Sequence, residues 1–146
     1  MEGDKPVSIL LVEDDGAARE ILASVLAIKF PHTAFYFADN GKTGLKCFKK
    51  HHPAIVITDV NMPEMDGIQM VGQIKLIDAG VKLIVLTAFS DKIILENSTA
   101  AGIKIDHKIM KPIDFGKLFK VIKQCLVGLT PDHTHHPAVS VQPLKI

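Results

Sequence analysis

Glu13-Asp14, Asp59, Thr87 and Lys111 are the side chains of this 146-residue chain whose types and placement suit shared chemistry. Asp59 ends the run Ile55-Val56-Ile57-Thr58, and the turn formers Asn61, Pro63, Asp66 and Gly67 follow at once. The pattern is that of a strand delivering a carboxylate to a loop. In open parallel α/β sheets, ligands bind just outside the carboxyl ends of the strands. Taken alone, Asp59 is better read as a turn or cap residue. The balance changes because Glu13-Asp14, Thr87 and Lys111 also close apolar, strand-like runs. Adjacent parallel strands lie about 5 Å apart, so these ends can converge on one patch.

Three carboxylates on one patch repel one another unless a cation intervenes. Carboxylate oxygens, with a backbone carbonyl from the loop after Asp59, suit octahedral Mg²⁺, which keeps water positions open for a phosphoryl group. The set then holds the parts of a phosphoryl-transfer site. Asp59 is the nucleophile, Mg²⁺ and Lys111 are the charge partners, and the Thr87 hydroxyl is a donor. Each residue also has a plainer reading: turn caps for Glu13 and Asp14, a strand-end hydroxyl for Thr87, a surface lysine for Lys111. Their joint occurrence at strand ends favours chemistry.

The elements that must position them alternate in type. Residues 8–12 form an apolar strand, and Asp15 caps a helix over 16–29 with Ala18, Ile21, Leu22, Val25 and Leu26 on its inner face. Residues 34–38 read as a short aromatic strand. Asn40-Gly41 opens a helix to about residue 51, with Leu45 and Phe48 inward. A third strand over 54–58 precedes a helix from 67 to about 79 that buries Met70, Val71, Ile74 and Ile77. After a fourth strand over 81–87, Ser90 or Asp91 can cap the next helix. There, Ile93, Ile94 and Leu95 cannot all face one core at about 100° per residue, which predicts one exposed apolar side chain. Residues 103–110 are strand-like but interrupted by Asp106-His107-Lys108. Asp114 then caps a helix with Phe115, Leu118, Phe119, Ile122, Cys125 and Leu126 inward.

Strand-then-helix units with short connections call for a single doubly wound α/β domain, a five-stranded parallel sheet with helices on both faces. The boundaries predicted are an extension over 1–7, the domain over 8–128 and a flexible tail over 129–146. Apolar residues make up 47% and charged ones 23%, which excludes a wholly disordered chain. The 17 basic and 16 acidic side chains nearly cancel and Trp is absent, so direct nucleic-acid binding is not advertised. Lys117, Lys120 and Lys123 are read as a solvated helix face, and His133, His135 and His136 as solvated tail residues. Cys47 and Cys125 lack the spacing of a metal or redox motif and are read as reduced, buried thiols. No leader pattern or membrane-spanning run is present, so a cytoplasmic protein without membrane contact is expected.

Leu11-Val12-Glu13-Asp14-Asp15, Asp59-Val-Asn-Met-Pro-Glu-Met-Asp-Gly67, Leu86-Thr87-Ala88 and Lys111-Pro112, in this order, resemble a response-regulator receiver domain of two-component signalling. The resemblance spans about residues 8–126. It implies a flavodoxin-like, chemotaxis-regulator-like sheet of order 2-1-3-4-5. It also implies Asp59 as phosphoacceptor and metal ligand, Asp14 as a direct Mg²⁺ ligand, Glu13 as a direct or water-mediated one, and the main-chain carbonyl of Asn61 as another. Thr87 matches the switch hydroxyl, Lys111 the phosphoryl-binding lysine, and Lys111-Pro112 a bond that is usually cis in the family. The implied partners are a sensor histidine kinase or histidine phosphotransfer protein and an output protein or domain. The implied role is a switch that assists its own phosphorylation, not an enzyme turning over external substrates.

One position departs from the family pattern. Receivers carry an aromatic residue three places before this lysine, where this chain has Lys108, and the segment 102–111 is longer than usual. The expectation is that His107 or a shifted loop replaces the usual relay. Phe89, two residues after Thr87, matches a position flanking the path of the water that hydrolyses the acyl phosphate. The alternative is a phosphorylation-independent docking module of the same fold. A phosphatase is weaker, because Asn61 stands where such enzymes place a second Asp. With no output domain after residue 128, the reading is a stand-alone regulator or a piece of a longer one.

Overall fold

The computed structural model describes residues 6–62 and 65–129. Pro63, Glu64, most of the extension and the tail with its histidines lie outside the described residues. In chain order the elements are β1 (Ser8–Val12), α1 (Gly16–Lys29), β2 (Ala34–Ala38), α2 (Gly41–His51), β3 (Ile55–Asp59), α3 (Gly67–Ile77) and β4 (Lys82–Thr87). A 3-10 turn (Phe89–Asp91), α4 (Lys92–Ala100), β5 (His107–Met110) and α5 (Phe115–Val127) complete them. The strands are parallel in the order β2-β1-β3-β4-β5, so the doubly wound, flavodoxin-like expectation holds.

Strand alternation sorts the core into two layers. Leu10, Val12, Val56, Leu83 and Val85 point to one face, where Leu45 and Phe48 of α2, Met70, Val71 and Ile74 of α3 and Leu95 of α4 cover them. Ile9, Leu11, Ile55, Ile57, Ile84 and Leu86 point to the other, beneath Leu22 and Leu26 of α1 and Leu118, Ile122 and Cys125 of α5. The central strands are buried on both sides, which is why they read as unbroken apolar runs. Each fully buried Leu or Ile there contributes roughly 1.5–3 kcal/mol. Cys125 is buried in the second layer, but Cys47, expected to be buried as well, is only half-buried against the first; the sheet separates the two thiols and both are free.

Several details differ from the sequence expectations. β3 runs one residue further than read, because Asp59 itself pairs with Leu86 of β4. Ile21 and Ile77, expected inward, are 55% and 43% exposed, at the margins of their helical stripes. On α4, Ile93 is 69% and Ile94 38% exposed while Leu95 is buried, so two apolar side chains face outward where one was expected. β5 is short because residue 106 pairs with β4 through both its backbone and its side chain. Asp106 N–H donates to the Leu83 carbonyl at 3.0 Å, and Asp106 Oδ2 accepts the Leu83 N–H at 2.8 Å. A carboxylate standing in for a strand carbonyl ends the regular ladder there.

Candidate functional site

Both β1 and β3 end at the same rim. Val12 pairs with Thr58, so Glu13 and Asp14 emerge beside Asp59. Glu13 is bent back into the fold: Arg19 Nη1 donates to its carbonyl at 2.8 Å, and its Oε2 accepts the Asp15 N–H at 3.1 Å. Asp15 is committed to α1, its Oδ1 accepting the N–H groups of Ala17 and Ala18 at 2.9 and 3.3 Å. That leaves Glu13 and Asp14, the pair the resemblance implies, with Glu13 buried and Asp14 exposed.

One carboxylate oxygen from each of Glu13, Asp14 and Asp59 lies within 4.8 Å of the others. Asp59 is 2% exposed, and its two carboxylate oxygens are sealed from solvent and accept no backbone N–H. Compensation comes from an ion pair, with Lys111 Nζ 2.6 Å from Asp59 Oδ1 and 3.9 Å from Glu13 Oε1. Burial alone would lower the Lys111 pKa, but contact with Asp59 and the charges of Asp59, Glu13 and Asp14 outweigh it and hold the ammonium above its ordinary value. Glu13 is pushed up from 4.5 to about 7, first by burial and then by the facing Asp59 carboxylate, with the Asp15 N–H and Lys111 opposing.

This arrangement tests whether Mg²⁺ fits. Sealed carboxylate oxygens clustered with two further acids against a single ammonium carry negative charge that Lys111 offsets only in part, in an all-oxygen donor set. Such a set matches a hard dication.

The loop after Asp59 is tied at both ends. The Gly41 N–H donates to the Met65 carbonyl at 3.0 Å, and the Gly67 N–H to the Val60 carbonyl at 2.9 Å. Gly67 opens α3 directly against Asp59, where a Cβ would overlap the Asp59 carbonyl oxygen; at Gly41 it would overlap that of Met65. Asp66 and Gln69 cap α3 reciprocally at 2.8 and 3.1 Å. Asn61 is exposed on this loop, two residues past Asp59.

Lys111 follows β5, which is registered on β4 so that Thr87 faces Met110, and its N–H donates to the Thr87 carbonyl at 2.8 Å. The Lys111-Pro112 bond is cis, as the resemblance implies. A cleft of about 500 Å³, lined by Glu13, Asp14, Ile21, Lys111, Pro112 and Phe115, opens beside the carboxylates.

Thr87 is buried at the same rim, but its hydroxyl donates elsewhere, to the Ala88 carbonyl at 3.1 Å and to Asp91 Oδ2 at 3.4 Å. The sequence offers Ser90 or Asp91 as the cap of α4. Asp91 stands at that N-cap position but makes no side-chain bond to the helix. Its Oδ2 accepts the Ala88 N–H at 2.9 Å instead. The signal available in the sequence was its spacing, one helical turn after Thr87.

Lys108 is paired with Val85, whose side chain lies in the layer covered by α2, α3 and α4, and it is exposed beside Leu95, Glu96 and Thr99 of α4. His107 is paired with Ile84 and so points to the opposite face, beneath α5. His107 therefore does not take the place of the missing aromatic residue, contrary to one of the two expectations.

Comparison with known proteins agrees with this fold. Residues 9–123 match the family described as "Response regulator receiver domain". The chemotaxis protein CheY of Bacillus subtilis is 30% identical over 117 residues, covering 80% of this chain and 96% of CheY. Sporulation initiation phosphotransferase F of the same organism is 30% identical over 118 residues, covering 81% and 92% of the two chains. The crystal structure of a response regulator receiver domain protein from Clostridium thermocellum superposes with a TM-score of 0.75 over 83% of this chain and 94% of that one; at 23% identity it speaks for the fold alone. A rim of two strand-end acids, a sealed Asp and a lysine on a five-stranded parallel sheet, matched by the family over nearly all the described chain, places this protein among the response regulator receiver domains.

Proposed function

We propose that this receiver domain takes a phosphoryl group onto Asp59 from the phosphohistidine of a sensor histidine kinase or a histidine phosphotransfer protein. The observation that carries this reading is the Asp59 carboxylate itself, sealed from solvent, free of backbone hydrogen bonds and paired with Lys111. An Asp59 oxygen attacks phosphorus, the phosphorus–nitrogen bond breaks, and the donor imidazole leaves with that electron pair; an acyl phosphate remains. Glu13, Asp14 and Asp59 would hold Mg²⁺ together with the main-chain carbonyl of Asn61. Bound Mg²⁺ supplies positive charge against the phosphoryl oxygens. Lys111, already at Asp59, moves its ammonium to a phosphoryl oxygen, and the Thr87 hydroxyl donates to another.

The output surface is the face of α4, β5 and α5, where Ile93, Ile94 and Met110 are exposed. Phosphorylation shifts an equilibrium there, and an output protein reads it. NMR spectra with beryllofluoride and Mg²⁺ test the reading: resonances of Asp59, Thr87, Lys111 and α4 are expected to move together. Unchanged spectra would favour docking independent of phosphorylation.

The lifetime of the acyl phosphate depends on access of water. Phe89 is 83% exposed on the turn after Thr87, so it can be replaced without disturbing the core. Phe89→Glu places a base where an apolar ring stood, and dephosphorylation is expected to quicken roughly threefold to tenfold. Phosphate release measured after removal of the donor checks this; an unchanged half-life would remove Phe89 from the account.

A further inference from the structure

We propose that Asp91 is a latch on Thr87, holding its hydroxyl in the unphosphorylated arrangement and carrying its release to α4. The inference rests on the reading of Thr87 as the hydroxyl that turns to the phosphoryl group. Asp91 is a buried carboxylate with no cation paired to it among the described residues, and burial of such a group is costly unless it is hydrogen-bonded. Its bonds come from the β4–α4 connection alone. The Ala88 N–H donates to Asp91 Oδ2 at 2.9 Å, and the Asp91 N–H returns a bond to the Ala88 carbonyl at 3.0 Å. This reciprocal pair fixes the carboxylate whether or not Thr87 uses it.

Thr87 has one proton to give and divides it between the Ala88 carbonyl and the Asp91 carboxylate. A charged acceptor binds a hydroxyl more strongly than a neutral one, yet 3.4 Å is long for an O–H···O bond. The contact is thus attractive enough to bias the rotamer and weak enough to be given up when phosphoryl oxygens appear. What it releases is the residue immediately before Lys92, where α4 begins. Ile93 and Ile94 of that helix are the exposed apolar side chains of the output face. A route from Thr87 through Asp91 into α4 needs no aromatic residue on β5, where this chain has Lys108.

Asp91→Asn separates latch from cap. The amide oxygen still accepts the Ala88 N–H, while the charge that holds Thr87 is gone. Beryllofluoride binding with Mg²⁺, followed by NMR on the whole chain, is expected to tighten threefold to tenfold in Asp91→Asn. Resonances of residues 91–96 should move part way toward their bound positions before any beryllofluoride is added. In a Thr87→Val background the added substitution is expected to change neither. Equal affinities of Asp91→Asn and the unaltered protein, or the same gain with and without the Thr87 hydroxyl, would leave Asp91 a turn cap only. Should Asp91→Asn fail to fold, Thr87→Val cuts the same bond from the other side, and unmoved resonances over 91–96 would overturn the latch. Failure of the unaltered protein to bind beryllofluoride would instead refute the reading of Asp59 on which the latch depends.

Discussion

Asp59→Asn is expected to abolish phosphoryl acceptance, by about three orders of magnitude or more, while the protein stays folded. An amide oxygen is a poor nucleophile, and no other described carboxylate combines such burial with a lysine at 2.6 Å. The same substitution is expected to stabilise the metal-free protein at neutral pH. It removes one of three clustered carboxylates and leaves Lys111 to pair with Glu13, now 3.9 Å away. Relief of like-charge repulsion and a new amide donor facing Glu13 outweigh the lost ion pair by about 1 kcal/mol. Radiolabel from a phosphodonor measures the first effect and thermal unfolding in chelator the second. Labelling of the Asn variant at the normal level would falsify the assignment of the acceptor.

Stability of the metal-free protein should also fall as pH rises, through Glu13. Its carboxyl titrates near 7 in the folded chain against an ordinary 4.5, so the native state holds a proton that the unfolded state has lost. The contribution is fully present below about 4.5, declines as pH rises toward 7, and is gone above it. Glu13 is 3% exposed, so solvent screens little of this, and the loss amounts to roughly 2–3 kcal/mol. Other carboxylates impose slopes of their own, so the measurement is a difference. Urea unfolding in chelator at pH 5 and pH 8 is compared between the unaltered protein and Glu13→Gln. The unaltered protein is expected to lose more stability over that interval, and added Mg²⁺ to shrink the gap. Parallel losses in the two proteins would mean that Glu13 keeps an ordinary pKa.

Much of this architecture was legible because its determinants are local or periodic. Asp15, Asn40, Asp66 and Asp114 are caps whose side chains accept N–H groups within their own first turns. Strands buried on both faces announce themselves as apolar runs, and their ends bring Glu13, Asp59 and Lys111 together. What escaped depends on geometry across elements. Ile21 and Ile77 sit at the margins of their helical stripes, where periodicity does not say whether a neighbouring element covers them. The faces of His107 and Lys108 follow from the register of β5 on β4, next to which the Asp106 side chain bonds the Leu83 N–H. The contact of Asp91 with Thr87 is hidden in the sequence because a carboxylate before a helix looks the same whether it bonds that helix or reaches back one turn.

The most direct test incubates the protein with acetyl phosphate, with and without Mg²⁺, reduces the acyl phosphate with borohydride and maps the modified residue by mass spectrometry. The expected result is modification of Asp59 alone, dependent on Mg²⁺ and strongly reduced in Lys111→Met. Modification at another carboxylate, or none with Mg²⁺ present, would contradict the assignment of this rim as a phosphoryl-acceptor site.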